Sequence, residues 1–199
     1  MAPATCALAG LGAGALWLEM SSSRPATTNA MAAAAAGLVD RARPLLEELG
    51  ATRVHVGDAP GDGDAAKTIN NMLSATNLAA AAEALAMGIR AGLDPGRLVD
   101  CVDGGTGASH AMREKVGGQV LTGRFGSRFT LGQYLKDLGI ARGLADDHRV
   151  PTPVNGAAHA VWMEHAARGH ADDDHTRLVA LLLADAGIER VPRPTTGRT

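Results

Sequence analysis

Between Gly61 and Gly92 the chain carries one continuous helical pattern, and that stretch limits the possible folds more than any other. Gly61-Asp62-Gly63-Asp64 opens it, with Asp62 or Asp64 placed to accept hydrogen bonds from the free amides of a first turn. Ala66, Ile69, Leu73, Ala80, Ala84 and Met87 then recur at helical spacing until Gly92 stops the pattern. A helix running from about Asp64 to Ala91 needs other helices to cover it. Shorter helical patterns follow at 95–102, 109–117, 131–147, 153–168 and 174–186, separated by turn signals at 103–105, 123–127, Pro151 and Gly169. Aromatic residues make up only 3% of the chain, so Ala, Leu and Val must fill the core. Small side chains of that kind suit close helix–helix contact better than broad sheets. The fold class that follows is mainly α.

Ahead of Gly61 the pattern is mixed. Ala15-Leu16-Trp17-Leu18-Glu19-Met20, closed by three serines, reads as a strand, and so does Arg53-Val54-His55-Val56, closed by Gly57. Helices are expected between them at 25–36, entered through Pro25, and at 39–49, stopped by Gly50. The chain therefore divides into a small α/β segment at 1–60, a helical domain at 61–189 and a frayed, proline-containing tail at 190–199. Gly10-Leu11-Gly12-Ala13-Gly14-Ala15 fits a G-x-G-x-x-A dinucleotide fingerprint in letters only. The residues after it read as strand, whereas the fingerprint needs a helix N-terminus there to meet a pyrophosphate, so it is read as a loop.

Several function classes are excluded. A net charge of −2 without a long basic or acidic run argues against nucleic acid or an anionic membrane as the main partner. The apolar run at 4–18 lacks a charged leader, and no stretch reaches about 18 consecutive strongly apolar residues, so neither a signal peptide nor a membrane span is expected. A cytoplasmic location is the expectation. Cys6 and Cys101 read as two unpaired thiols. His159, His165, His170 and His175, with the acidic run at 172–174, match no metal-ligand spacing and read as a solvated helix boundary, so no metal is expected.

Chemistry concentrates near the start of the long helix. Lys67 and Asn71 lie four residues apart and share one face. A cation near a helix N-terminus is disfavoured by the macrodipole, which eases loss of its proton. A lysine so tuned can exchange a proton with a hydroxyl or carbonyl. The run Gly61-Asp62-Gly63-Asp64-Ala65-Ala66-Lys67-Thr68-Ile69-Asn70-Asn71 resembles the G-x-G-x-x-x-K-x-x-x-N signature of the β-hydroxyacid dehydrogenases, of the 3-hydroxyisobutyrate dehydrogenase type. Further similarity follows in order: Glu83-Ala84-Leu85-Ala86 and Ala91-Gly92-Leu93-Asp94, Gly104-Gly105-Thr106-Gly107-Ala108-Ser109, Phe129-x-Leu131 with Lys136-Asp137-Leu138, Val150-Pro151-x-Pro153, and Gly169-His170-Ala171-Asp172.

The resemblance implies a helical domain of the 6-phosphogluconate dehydrogenase C-terminal type behind a residual, partly Rossmann-like α/β segment. It implies Lys67 as catalytic general acid/base, with Asn71 holding lysine and substrate. Lys136 is implied to reach a nicotinamide cofactor, NAD or NADP, with Phe129 and Asp137 lining the same cleft and Asp137 on the substrate side. Met20-Ser21-Ser22-Ser23-Arg24-Pro25 resembles the family's D-M-S-T-x-S-P strand end, which gives Ser22 a contact to cofactor or substrate. The family's opening strand with its glycine fingerprint, and its D-A-P-V-S-G-G loop, have no counterpart at 1–60. The implied activity is oxidation of a small 3-hydroxy acid to its semialdehyde, or the reverse, in a homodimer or larger homo-oligomer. The shortened first half leaves a second reading open, an inactive helical module that only self-associates. Imine-reductase relatives fit less well, because they generally lack a lysine at the position of Lys67.

Overall fold

The computed structural model describes residues 54–126 and 129–189, together with Glu48. Helix α1 (Asp62–Arg90) is followed by α2 (Pro95–Asp103), a π-helix π1 (Ala111–Val120), α3 (Leu131–Asp147), α4 (Pro153–His165) leading into a short π-helical turn π2 (Ala166–His170), and α5 (Arg177–Asp185). The strand expected at 15–20, the helix at 25–36, the glycine-rich stretch at 10–15 and the tail at 190–199 lie outside the described residues. Of the helix expected at 39–49 only Glu48 is described, and it is helical.

No strand forms among the described residues. The strand expected at 53–56 is absent at 54–56, where Val54 and Val56 stand 73% and 51% exposed. Alternation alone cannot make a strand without a neighbour to take its amides and carbonyls. The β-type pairing that does occur is an isolated bridge between Thr130 and Asp174.

The chain divides inside α1 into a unit ending at Ile69 and a second running from Asn70. In the first, the side chain of Asp62 turns back and accepts a hydrogen bond from the Ala59 amide at 2.9 Å, so it closes the entry turn rather than capping the amides ahead of it. Asp64 and Thr68 are buried in the first turns, while Lys67 is exposed.

In the second unit α1 turns a face of alanine and leucine inward. Ala75, Leu78, Ala79, Ala82, Leu85 and Ala86 are buried, whereas Leu73 and Met87 are 51% and 68% exposed. The expected stripe through Leu73, Ala80 and Met87 is therefore the outer face of α1, because alanine, with almost no side chain to order, lets the neighbouring helices come close. Trp162 of α4 fills the space this leaves. It is fully buried and donates its indole N–H to the Ala75 carbonyl at 3.3 Å. By length and composition α1 could cross a bilayer, and 44% of its most apolar stretch is buried within the protein.

Local signals set the helix ends. Leu93 N–H donates to the Gly88 carbonyl at 2.9 Å and Gly92 N–H to that of Ile89 at 3.0 Å, which is the Schellman pattern, with Gly92 at φ 83°. A Cβ at Gly92 would meet nothing within 4 Å, so only the backbone conformation resists substitution. Gly92→Ala should accordingly cost about 1 kcal/mol of stability, read as a lower urea midpoint with an unchanged slope. Asp94 accepts from the Arg97 amide at the start of α2. Thr130 and Gln133 form a reciprocal capping box at the start of α3.

The helix expected at 109–117 is longer than expected and of another type. Leu121 N–H donates to the Val116 carbonyl and Arg124 N–H to that of Gln119, both five residues back. The widened turn lets Ala111 with Met112, then Lys115 with Val116, then Val120 all face inward. An added Cβ at Gly117 would stand 3.0 Å from Val99, so the missing side chain lets α2 lie against π1.

Candidate active site

Two polar rungs join α1 to α3 within an otherwise apolar core. In the first, Asn71 Nδ2 donates to Asp137 Oδ2 at 2.7 Å. Asp137 is only 2% exposed, so its charge must be held by partners rather than by water. Besides the Asn71 amide, the ammonium of Lys136 stands 3.4 Å from Oδ1, with its own side chain 56% exposed. In the second rung the hydroxyls of Ser74 and Tyr134 lie 2.8 Å apart. Lys115 reaches in from π1 and donates to both, at 2.8 Å to Ser74 and 2.6 Å to Tyr134. Its ammonium also lies 4.8 Å from the centre of the Tyr134 ring.

Phe129 and His175 close one side of this cluster. The Leu131 and Gly132 amides donate to the carbonyls of Asp173 and Ala171, and the His175 amide donates to the Phe129 carbonyl. The His175 ring adds a second hydrogen bond from Nδ1 to that carbonyl at 3.1 Å, which fixes the proton on Nδ1. Phe129 then meets Tyr134 edge-on with ring centres 4.7 Å apart, and Tyr134 meets His175 at 4.9 Å.

Burial, and after it the Lys115 charge, hold His175 below its ordinary value of about 6.5, against the weaker upward pull of the Phe129 carbonyl and Asp174. The folded protein thus binds this proton more weakly than the unfolded chain does. The stability His175 contributes is complete above pH about 6.5 and is lost as the pH falls through the depressed value. Urea unfolding across that window should show wild type losing stability faster than His175→Gln; parallel slopes would mean that His175 does not titrate there.

The structure brings together four residues that the sequence singled out. Asn71, Asp137 and Lys136 are directly linked, and Phe129 joins them through Tyr134. Lys67 lies on α1 four residues before Asn71, and Ser22 lies outside the described residues. Sequence reasoning passed over Ser74, Lys115 and Tyr134, and read His175 as part of a solvated boundary. A usable signal existed for two of them: Ser74 follows Asn71 by three and Tyr134 precedes Asp137 by three, the spacing of a second contact between the same helices.

The histidine region is also not a solvated boundary throughout. His165 and His175 are buried, and His165 bonds to the Val161 carbonyl and to Asp185, which in turn takes Arg168. Arg168 first, then the weaker influence of His165, keeps the Asp185 carboxyl below the usual range. Among the described residues no three His, Cys, Asp or Glu side chains converge as a metal site would require.

Residues 61–182, more than half of the chain, match the family model described as NAD-binding of NADP-dependent 3-hydroxyisobutyrate dehydrogenase. The chain belongs to the 3-hydroxyisobutyrate dehydrogenase family. It is 31% identical to 2-(hydroxymethyl)glutarate dehydrogenase of Eubacterium barkeri over 162 residues, 81% of this chain and 54% of that protein. It is 35% identical to 3-hydroxyisobutyrate dehydrogenase of Pseudomonas aeruginosa over 144 residues, 69% of this chain and 47% of that one. The crystallised 3-hydroxyisobutyrate dehydrogenase of Mycobacterium tuberculosis, with L-serine, superposes with a TM-score of 0.66 at 30% identity, covering 74% of this chain and 52% of that one. The chain thus spans about half the length of these relatives.

Proposed function

We propose that this chain supplies the helical, lysine-bearing half of an NAD(P)-dependent oxidoreductase that interconverts a small 3-hydroxy acid and its semialdehyde. The observation that carries the reading is the buried Asn71–Asp137 hydrogen bond, which fixes the asparagine of the family's signature within a chain whose family match runs from 61 to 182. A nicotinamide nucleotide supplies the group that accepts or donates the hydride. Lys136 suits a nucleotide: its ammonium stands beside Asp137 while the side chain stays 56% exposed. Phe129 and Ser22 are the other residues assigned to the nucleotide, and Asn71, Asp137 and Ser22 those assigned to the substrate.

Lys67 takes the proton from the substrate hydroxyl during oxidation and returns it during reduction. The Asn71 amide, held by Asp137, gives the substrate oxygen a fixed neighbour. The exposed outer face of α1, with Leu73 and Met87, is where a second copy would pack in a homodimer or larger homo-oligomer. A cytoplasmic setting, with a small hydroxy acid as the only other partner, completes the reading.

Titration of the purified 199-residue chain with NADH and NADPH, followed by nucleotide fluorescence, tests the proposal. Saturable binding of one of them, with turnover of a 3-hydroxy acid by the oxidised form, is the expected result. Binding of neither nucleotide, with no turnover, would leave the self-associating module as the better account.

A further inference from the structure

The strongest unexplained feature of the helical unit is Lys115. It is 6% exposed, and among the described residues its ammonium meets two hydroxyls and a ring face but no carboxylate within ion-pairing distance. Desolvating an ammonium is costly, and an apolar side chain would fit the surrounding core of Ala, Leu and Val more cheaply. Nor do Ser74 and Tyr134 need the lysine, since their hydroxyls already bond to each other. What a buried charge is best able to supply is register: it makes alternative packings expensive.

Register between α1 and α3 is set by polar groups. Apolar contact is non-directional, whereas the Asn71–Asp137 and Ser74–Tyr134 bonds exist at one alignment of the two helices only. The two rungs run in opposite senses along the helices, Asn71 to Ser74 on α1 against Asp137 to Tyr134 on α3. A slip of one residue breaks both rungs and takes the Tyr134 hydroxyl away from the Lys115 ammonium. We propose that Lys115 is a positioning residue, which locks α3 to α1 through Tyr134 and Ser74 and so holds Asn71 against Asp137. The inference rests on the functional reading above only for its catalytic consequence.

Lys115→Met tests it in the full chain. The variant keeps length and removes the charge, and it leaves Ser74 bonded to Tyr134, so the fold should survive. The side-chain amide of Asn71, assigned in a 15N spectrum by its loss in Asn71→Ala, should exchange with solvent about tenfold faster than in wild type, a change of the size expected for residues sharing one network. The Trp162 indole signal should stay in place, which separates loss of register from general loosening. Should Lys115→Met fail to fold, Tyr134→Phe removes the link between Lys115 and α3 and is read the same way. An Asn71 amide as protected as in wild type, or one that loosens only together with Trp162, would overturn the proposal. In a wild type that turns over, Lys115→Met should also lower kcat by roughly tenfold or more at unchanged nucleotide Kd, as expected when a catalytic group is slightly misplaced. An unchanged kcat would overturn it equally. A wild type without turnover sinks the dehydrogenase reading and leaves the Asn71 amide to decide the positioning role.

Discussion

In a chain that turns over a 3-hydroxy acid as proposed, Lys67→Ala should lower kcat by about a hundred- to ten-thousand-fold, the loss typical when a general acid/base is removed, while the protein stays folded. The side chain is exposed on α1, so truncating it deletes no core contact. Lys136→Ala should act differently, raising the cofactor KM with little effect on kcat, because its proposed contact is to the nucleotide and not to the reacting carbon. Asn71→Ala is the mixed case. On sequence grounds it should be milder than Lys67→Ala, since Asn71 orients rather than transfers the proton. The structure adds a stability cost, because the change takes the amide from a carboxylate that is only 2% exposed. Steady-state kinetics with nucleotide and hydroxy acid varied separately distinguishes the three variants. Wild-type rates in Lys67→Ala on every 3-hydroxy acid turned over would remove Lys67 from the mechanism.

Trp162→Ala should be the most damaging single change to the fold, costing about 3–5 kcal/mol. The indole is fully buried, lies 5.0 Å from the Tyr134 ring, and supplies a hydrogen bond to the Ala75 carbonyl. The packed residues around it can close the gap only in part. A domain of this size typically has about 5–15 kcal/mol of stability in total, so the variant should unfold at markedly lower urea or temperature. A loss below about 1 kcal/mol would mean that the core collapses around the missing ring.

The sequence was most informative where its signals were local. Gly92 carries its own hydrogen-bonding geometry, so α1 ends within a residue or two of where the pattern placed it, and α3 begins at the expected Leu131. The Lys67-to-Asn71 spacing and the Lys136-Asp137 pair could be found for the same reason: each is a short motif. The Asn71–Asp137 bond, in contrast, links residues 66 positions apart, and Lys115 meets Ser74 across 41. Pairings of that kind depend on how helices pack, which periodicity does not report. The π-helical type was missed because its inward residues, Lys115 and Val116 among them, keep the spacing of an ordinary helical face, so the pattern shows a helix but not its width. The strand at 53–56 failed for the opposite reason, a clear local pattern without a tertiary partner among the described residues.

The alanine face of α1 also restricts how this chain can drift by mutation. A single base change in an alanine codon leads to Gly, Ser, Thr, Val, Pro, Asp or Glu, and to no other amino acid. At Ala75, Ala79, Ala82 and Ala86 these replacements loosen the helix, bury a hydroxyl, crowd the contact, break the backbone or bury a charge. Leucine and isoleucine cores can exchange neighbours at little cost, but these positions have no inexpensive single-step neighbour. Their codons should tolerate silent changes while resisting nearly every coding one, and a deep mutational scan would show them as a periodic row of intolerant sites along α1.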